Sequence, residues 1–399
     1  AGLPVPVVAV GKLGYPDIAE RALRDGDCDM VMLGRPLLAD PEWPNKAYAG
    51  KVEDICPCIG CQEGCINEFV EGGHPQCAVN PRTGFEDVIP PAIPAAGVKK
   101  RVAVVGAGPA GAMLASIAAK RGHDVELFEK TGSLGGRMVP GGVPIVKFDI
   151  ENFEKYLADV VDKAKKDHGL KVHLNTAVSV DELKKAKYDS IVFAIGTKNV
   201  APKLPGIEQA NTVQATELLV DDKRIGNAKN VVVVGGGAVG CETAYWLKYE
   251  KGLNVTVVDM LPYMIEGACT ANRGHLIHYL KKADVKLINC ARVTSFDVGK
   301  VNIKRNVSKG VPDPYNTWQP ILPKNIENPL AKKIGAEERE ESLDADLVVL
   351  AMGGRPDDAM FLEAQEKHAA DELHNIGDSF APGRILEATR AAYRLATTL

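Results

Sequence analysis

Five of the nine cysteines of this chain lie close together, in the stretch CPCIGCQEGCINEFVEGGHPQC that begins at residue 56. Cys58, Cys61 and Cys65 are spaced C-x2-C-x3-C, and Cys77 follows after eleven further residues. Three soft thiolates on a short loop that contains glycine, with a fourth from a returning segment, can hold one iron–sulfur cubane. Four thiolates also satisfy a structural zinc ion, so the spacing predicts a metal centre with two candidate metals.

The fifth cysteine of the stretch, Cys56, is expected to be a spare thiol, although a shift of one ligand would exchange it with Cys58. His74 lies between the last two predicted ligands and is expected to be a surface histidine. The other four cysteines are scattered over the chain, which is unlike a disulfide framework. The clustering therefore predicts metal ligation in a reducing cytoplasm.

Two glycine-rich turns have the spacing of a dinucleotide-binding loop. In this pattern the first glycine permits a tight turn and the second lets the backbone approach a pyrophosphate. The third lets the helix and strand pack closely, with the helix N-terminus facing the anion. The two copies are Gly106-Ala-Gly108-Pro-Ala-Gly111 and Gly235-Gly-Gly237-Ala-Val-Gly240.

The segments around each turn fit a βαβ unit. Arg101–Val105 and Asn230–Val234 are apolar strands directly before the turns, and the next strands end at Glu129 and Asp259. A carboxylate at this point can accept ribose hydroxyls. Because no arginine for a 2′-phosphate adjoins Asp259, the second copy favours NAD(H) over NADP(H). The two copies lie 129 residues apart and form the main internal repeat of the chain.

Composition excludes several classes of protein. With 399 residues, 45% of them hydrophobic and 25% charged, the chain is long enough for two or three ordinary domains. The net charge of −4 includes no basic block, which argues against nucleic-acid binding. No apolar run reaches the length of about 20 residues that a membrane helix needs.

The rest of the chain divides by composition. Residues 1–50 predict two strand–helix units, with strands at Val5–Val10 and Met30–Leu33 that end in Gly11 and Gly34. Residues 51–85 hold the cysteines on irregular chain, and residues 86–100 form a linker rich in proline and alanine. Lys304–Leu343 is polar and predicts a solvated loop region before a strand at Ala345–Met352.

The double fingerprint resembles the flavoprotein reductases that have two dinucleotide-binding domains. Leu134-Gly135-Gly136-Arg137 follows the first copy, and Asn375-Ile-Gly377-Asp378 lies near the other end of the chain. The resemblance implies that the first copy binds FAD, with Asp378 at its ribityl or pyrophosphate region, and that an inserted second copy binds NAD(P)H. It also implies two chain crossings between these domains, at Ala194-Ile-Gly196-Thr197 and at Ala351-Met-Gly353-Gly354.

CIGCQEGC, the distal cysteine before Val79-Asn80-Pro81 and the double fingerprint together resemble a more specific family. This is the iron–sulfur flavoenzyme family of 2-enoate reductase, 2,4-dienoyl-CoA reductase and trimethylamine dehydrogenase, whose members begin with an FMN-binding (β/α)8 barrel. Residues 1–50 would be the last two βα units of that barrel. Loops after strands 7 and 8 of such barrels hold a phosphate. The family therefore implies FMN phosphate binding by the residues after these strands, Gly11, Lys12, Gly34 and Arg35.

Within this family the chain is most similar to the 2-enoate reductases. The second fingerprint is intact and ends at Asp259, unlike the degraded site of trimethylamine dehydrogenase. The segment from Cys241 to Tyr279 resembles the clostridial 2-enoate reductases and their bile-acid-pathway relatives. By analogy Glu242 lies near the contact of nicotinamide and flavin, and the alternative is an acid in the first turn of a helix.

The predicted fold class is α/β: the end of a TIM barrel, an iron–sulfur segment and two nested Rossmann-like domains. The expected divisions are residues 1–50 for the barrel units, 51–85 for the 4Fe-4S segment and 86–100 for the linker. Residues 101–212 and 351–399 form the FAD domain, and residues 213–350 form the NAD(P)H domain. Two βα units cannot close a barrel, so the chain is expected to be the C-terminal portion of about 650 residues.

The function implied is a cytoplasmic relay from NADH through FAD and a 4Fe-4S cluster to FMN, which reduces the C=C bond of an enoate or enoyl-CoA. The substrate-side acid is expected upstream of Ala1, so no catalytic residue is assigned in this portion. Two alternatives stay open: an NAD(P)H-oxidising electron-transfer subunit that serves a partner protein, and an amine dehydrogenase. Expected partners are the small substrate and the missing barrel of the same chain, with a homo-oligomer left open and neither nucleic acid nor membrane bound.

Overall fold

The structure is a computed structural model and describes residues 4–319, 322, 326 and 328–399. The chain divides into two compact units. The first unit comprises Ala1–Met138, Asp149–Thr197 and Pro356–Leu399, and the second comprises Val139–Phe148 and Lys198–Arg355. Within the described residues no helix combines the length and the apolar character needed to cross a lipid bilayer.

The described strands are β1 (Val8–Val10), β2 (Met30–Met32), β3 (Arg101–Val105), β4 (Asp124–Phe128), β5 (Lys171–His173), β6 (Ser190–Phe193), β7 (Thr197–Asn199), β8 (Thr212–Gln214), β9 (Asn230–Val234), β10 (Asn254–Val258), β11 (Lys286–Ile288), β12 (Ala291–Asp297), β13 (Lys300–Asn306), β14 (Glu338–Asp344), β15 (Leu347–Leu350), β16 (Gly354–Pro356) and β17 (Glu372–Asn375).

The described α-helices are α1 (Pro16–Arg24), α2 (Arg35–Ala39), α3 (Trp43–Tyr48), α4 (Glu68–Val70), α5 (Pro109–Lys120), α6 (Met138–Gly142), α7 (Phe148–His168), α8 (Val180–Ala186), α9 (Ala215–Val220), α10 (Ala238–Tyr249), α11 (Thr270–Lys282), α12 (Ala359–Glu366) and α13 (Ile385–Thr398).

The first unit is built on a five-stranded sheet of order β17-β6-β3-β4-β5, in which all pairs are parallel. Successive residues of β3 point to opposite faces, so Val102 and Ala103 lie in two different cores. Residues of α5, α7 and α13 pack on the Val102 face, and those of α8 and α12 pack on the Ala103 face. Burial on both faces explains why β3 reads as a continuous apolar run.

The second unit repeats this plan with a parallel sheet of order β11-β10-β9-β15-β8. Its strand before the glycine turn, β9, is central, as β3 is in the first unit. The strands predicted at Arg101–Val105 and Asn230–Val234 are confirmed with these bounds. Parallel sheets with helices on their faces confirm the predicted α/β class.

A three-stranded antiparallel sheet, β12-β13-β14, also belongs to the second unit. Here the prediction of a loop over Lys304–Leu343 was wrong at both ends, because residues up to Asn306 and from Glu338 pair as strands β13 and β14. Strand β14 was not predicted because its sequence, EREESLD, is almost entirely polar and lacks the alternation of apolar and polar residues that indicates a strand. Two of its four acids, Glu340 and Asp344, lie opposite Lys304 and Lys300, and Lys304 also forms an ion pair with its diagonal neighbour Glu338 at 2.6 Å. Opposite charges across two strands favour such a pairing.

The first fifty residues contain β1, α1, β2, α2 and α3 in that order, and β1 pairs with β2 in parallel. Apolar side chains of both strands are open to solvent: Val10 is 68% exposed and Met32 is 56% exposed.

The cysteine segment, residues 51–85, was predicted to be irregular but contains short helical turns, including a π-helix over Glu63–Asn67 that continues into α4. Most of the linker predicted at 86–100 has neither helix nor strand.

Candidate functional site

The first fingerprint connects β3 to α5 through backbone contacts that exclude side chains. Gly106 has φ +101°, and a Cβ there would overlap the carbonyl oxygen of Ala194. A Cβ at Gly111 would overlap the carbonyl oxygen of Gly106. At Gly108, by contrast, a Cβ would meet nothing within 4 Å. Gly106 and Gly111 therefore pack closely against backbone carbonyl groups, whereas Gly108 is open. A phosphate can approach the N-terminus of α5 at this open position.

Glu129 fastens this turn to the end of β4. Its Oε2 accepts the backbone N–H of Ala107 at 2.9 Å, and its Oε1 accepts the N–H and hydroxyl of Thr131, both at 2.9 Å. Glu129 is buried. The predicted ribose acceptor thus already has a structural task, which leaves only its remaining lone pairs for a ligand.

Three further predicted residues of the first unit surround the same turn. A Cβ at Gly136 would lie 3.0 Å from the Cα of Gly108, and a Cβ at Gly377 would lie 3.1 Å from the Cβ of Ala110. Asp378 follows Gly377 and accepts the N–H of Gly383 at 3.0 Å. Burial raises the pKa of Asp378, while that N–H and the charge of Arg137 lower it. The structure therefore brings the loop of Asp378 to the N-terminus of α5.

Arg137 and Gly196 each form a hydrogen bond at the predicted crossing near β6. The guanidinium of Arg137 donates to the carbonyl of Thr197 at 2.9 Å, and the N–H of Asp357 donates to that of Gly196 at 3.1 Å. Burial lowers the pKa of Arg137, and Asp378 opposes this shift. Both residues thus belong to the unit that contains the first fingerprint.

The second fingerprint has the same construction. A Cβ at Gly235 would overlap the carbonyl of Ala351, a Cβ at Gly240 would overlap that of Gly235, and Gly237 is open. Asp259 takes the place of Glu129: it accepts the N–H groups of Gly236 at 2.5 Å and of Leu261 at 2.7 Å. The repeat found in the sequence is therefore a repeat of side-chain function as well as of folding.

The other two predicted residues of the second unit, Gly353 and Glu242, do not belong to the glycine turn. Gly353 accepts the N–H of Val200 at 3.1 Å. Glu242 lies in the second turn of α10, which has no acid in its first turn, so the first-turn interpretation was wrong. Its carboxylate pairs with Lys147 at 2.9 Å, and both side chains are partly buried. Lys147 was missed by sequence reasoning because it lies 95 residues away in the chain.

The four predicted metal ligands of the first unit share one cavity. Its lining includes Cys58, Cys61, Cys65 and Cys77, together with Arg35. None of the four forms a disulfide bond within the described part of the chain. Cys56 is buried beside Asp40, whose Oδ2 accepts its N–H at 2.9 Å, and it is not among the described residues that line the cavity. His74 contacts Gly84 and the ring of Phe85.

The environment of these thiols suits a cation. The pKa of Cys61 is raised to about 12 and that of Cys77 to about 11, mainly by burial and in part by the neighbouring cysteines. Backbone N–H groups oppose this, from Glu63 at Cys61 and from Val79 and Asn80 at Cys77. Crowded thiols with N–H donors become thiolates when a metal supplies positive charge, so the donor set fits an iron–sulfur or zinc centre. Among the described residues, however, no three His, Cys, Asp or Glu side chains have the arrangement of a completed metal site.

The residues predicted to hold FMN phosphate lie in the first unit, near this cavity. A Cβ at Gly11 or Gly34 would meet nothing within 4 Å, and Arg35 lines the cavity itself. Lys12 forms an ion pair with Asp149 at 2.5 Å.

Asp149 is a residue that sequence reasoning missed. It is buried on α7, it also accepts the hydroxyl of Tyr15 at 2.8 Å, and a Cβ at Gly60 would lie 2.8 Å from its Oδ2. Asp149 thereby ties the loop after β1 to the loop that carries the cysteines. Its separation of 137 residues from Lys12 left no local signal.

Comparisons with known proteins agree with this geometry. The family model of pyridine nucleotide-disulphide oxidoreductases matches residues 100–377. The chain is 40% identical to a cinnamate reductase of Clostridium sporogenes over 288 residues, which are 71% of this chain and 42% of that protein. It is 33% identical to an NADH oxidase of Thermoanaerobacter brockii over 399 residues, 98% of this chain and 55% of that protein.

Among solved structures, a 2-naphthoyl-CoA reductase in complex with 2-naphthoyl-CoA superposes with a TM-score of 0.85 at 29% identity. This match covers 100% of the chain and 55% of the solved one. The chain thus spans about half the length of the relatives it matches. It belongs to the pyridine nucleotide-disulphide oxidoreductases and, among them, to the enoate-reductase-like flavoenzymes.

Proposed function

We propose that this chain is the electron-input portion of an NADH-dependent flavoenzyme that reduces the C=C bond of an α,β-unsaturated carboxylate or enoyl thioester. When bound, FAD, a 4Fe-4S cluster and FMN would supply the electron relay from NADH to that bond. The observation that carries the proposal is the occurrence of two carboxylate-fastened fingerprints together with a cavity lined by four cysteines.

We assign FAD to the first fingerprint. The open position at Gly108 admits the pyrophosphate, while Gly136 and Asp378 close two sides of the same turn. Arg137 supplies a positive charge beside Asp378. These residues bind and orient a dinucleotide, and they belong to the unit that also contains the cysteine cavity.

We assign NADH to the second fingerprint. Asp259 offers carboxylate lone pairs to ribose hydroxyls and would repel a 2′-phosphate. Glu242 is held by Lys147 on the same unit, and we expect this pair to lie near the nicotinamide end. Gly353 would lie at the return crossing, beside this site.

We assign the cluster to Cys58, Cys61, Cys65 and Cys77, and the FMN phosphate to Gly11, Lys12, Gly34 and Arg35. The exposed apolar side chains of β1 and β2 support further barrel strands beside them. On this proposal the substrate pocket and its proton-donating acid lie in the remainder of the full-length enzyme.

The test is anaerobic titration of the full-length enzyme. We expect brown protein with about four irons per chain, bleaching of the flavin absorbance by NADH and recovery of that absorbance on addition of cinnamate or an enoyl-CoA. Zinc in place of iron contradicts the cluster assignment. Bleaching by an amine but not by NADH indicates an amine dehydrogenase. Bleaching by NADH with recovery only by a partner protein indicates an electron-transfer subunit.

A further inference from the structure

Helix α13 packs directly on the wall of the cysteine cavity. The hydroxyl of Thr389 donates to the carbonyl of Ala78 at 2.7 Å, and a Cβ at Gly64 would lie 3.3 Å from Cδ1 of Leu386. Both Gly64 and Ala78 line the cavity. The backbone of α13 around residue 390 therefore lies next to the wall of the cavity.

That residue is Arg390, and its guanidinium is unusually placed. It lies over the ring of Phe85, with Cζ 4.9 Å from the ring centroid. Its Nε and Nη2 are buried, and neither has a hydrogen-bond partner among the described residues. Unpaired buried N–H groups of a cation are costly, so a negative group is expected beside them.

Cys77 directly precedes Ala78, the residue to which Thr389 donates, so its sulfur is a candidate for that negative group. Burial lowers the pKa of Arg390, and the charges of Cys77, Glu68 and Glu387 oppose that shift. Arg35 lines the same cavity and acts in the same way on Cys58. Two arginines from distant parts of the sequence thus interact electrostatically with two of the four candidate ligands.

We propose that Arg390 is a positioning residue that sets the reduction potential of the metal centre by stabilising negative charge on Cys77 and on the bound cluster. The inference rests on the proposed function. A thiolate-ligated cluster is anionic and gains a further negative charge on reduction. A fixed cation in a region of low dielectric stabilises the reduced form more than the oxidised form, which raises the potential.

The experiment compares three variants of the full-length holoenzyme by potentiometric titration followed by electron paramagnetic resonance. Arg390→Met removes the charge and keeps much of the side-chain volume, whereas Arg390→Lys keeps the charge. Arg394→Met is the matched control, because Arg394 lies one turn further along α13 and is exposed. Iron content is measured for every variant.

We expect Arg390→Met to lower the midpoint potential of the cluster, so that a several-fold smaller fraction of the cluster is reduced at the same applied potential. Arg390→Lys and Arg394→Met should keep the wild-type potential. Unchanged potential in Arg390→Met with full iron overturns the inference. If Arg390→Met loses iron, retention of iron and potential in Arg390→Lys supports the role of the charge, and equal loss in both overturns it. A wild-type enzyme without iron instead overturns the proposed function.

Discussion

Gly108 and Gly111 lie three positions apart in one turn, yet we expect alanine substitutions at the two positions to have very different effects on stability. Gly111→Ala places a methyl group on the carbonyl oxygen of Gly106. We expect it to lower the free energy of unfolding by about 3 kcal/mol, as overpacked sites do. Gly108→Ala meets no protein atom within 4 Å and should cost under about 1 kcal/mol.

The same pair separates folding from binding. Because the open side of Gly108 is the proposed path of the pyrophosphate, Gly108→Ala should fold normally and lose its FAD. Denaturant unfolding of the apoprotein and flavin content after purification measure the two effects. Full flavin retention in Gly108→Ala would contradict the FAD assignment while leaving the packing argument intact.

Cysteines five positions apart also predict different results. Cys61 lines the cavity, whereas Cys56 is buried beside Asp40. We expect Cys61→Ala to lose most of its iron and Cys56→Ala to keep about four irons per chain, with only a packing loss of about 1–2 kcal/mol. Iron analysis and visible absorbance decide the matter. Iron loss in Cys56→Ala alone would show that the ligand set is shifted toward Cys56.

At the scale of elements, His123 joins the turn after α5 to the start of β3. Its Nδ1 accepts the N–H of Lys100 at 3.1 Å, and the residue is buried. Burial lowers the pKa of His123, and the charges of Arg121 and Lys100 lower it further. The folded protein therefore keeps this imidazole neutral at pH values where the unfolded chain protonates it.

The sign of the effect follows from this depressed pKa. The unfolded state binds more protons below about pH 6.5, so the stabilising contribution is complete above that pH and is lost as the pH falls toward the folded value. We expect urea unfolding to show falling stability from pH 7 to pH 5. His123→Asn should flatten this dependence, while His168→Asn on the exposed end of α7 should not. An equal slope in all three proteins would remove His123 as the cause.

Helices and strands were predictable where the interactions that stabilise them leave a pattern among residues close together in the sequence. The strands before both glycine turns and the carboxylates after them have their full signal within about thirty residues. Strand β14 had no such signal, because its pairing depends on basic residues of β13 across a long excursion. Asp149, Lys147 and Arg390 were missed for the same physical reason: each acts on a residue far away in the chain, and charge alone does not reveal a partner.

At the scale of the molecule, the two units should respond separately to a nicotinamide. NAD⁺ at about one hundred times its dissociation constant should stabilise the site that binds it by about 2.7 kcal/mol. We expect hydrogen exchange to slow in β9, α10 and β10, with no change in β4. Asp259→Asn should remove most of this protection. Protection of β4 in place of β10 would exchange the two cofactor assignments.

The bond between Thr389 and Ala78 joins residues 311 positions apart. During synthesis the cysteine loop therefore leaves the ribosome long before the helix that completes its wall, and the residues of the second unit appear in between. A metal centre loaded early would sit on a half-built and water-exposed loop. On the proposed cluster assignment, we therefore expect loading of the metal to be a late event of biogenesis, with the cysteines kept reduced until then.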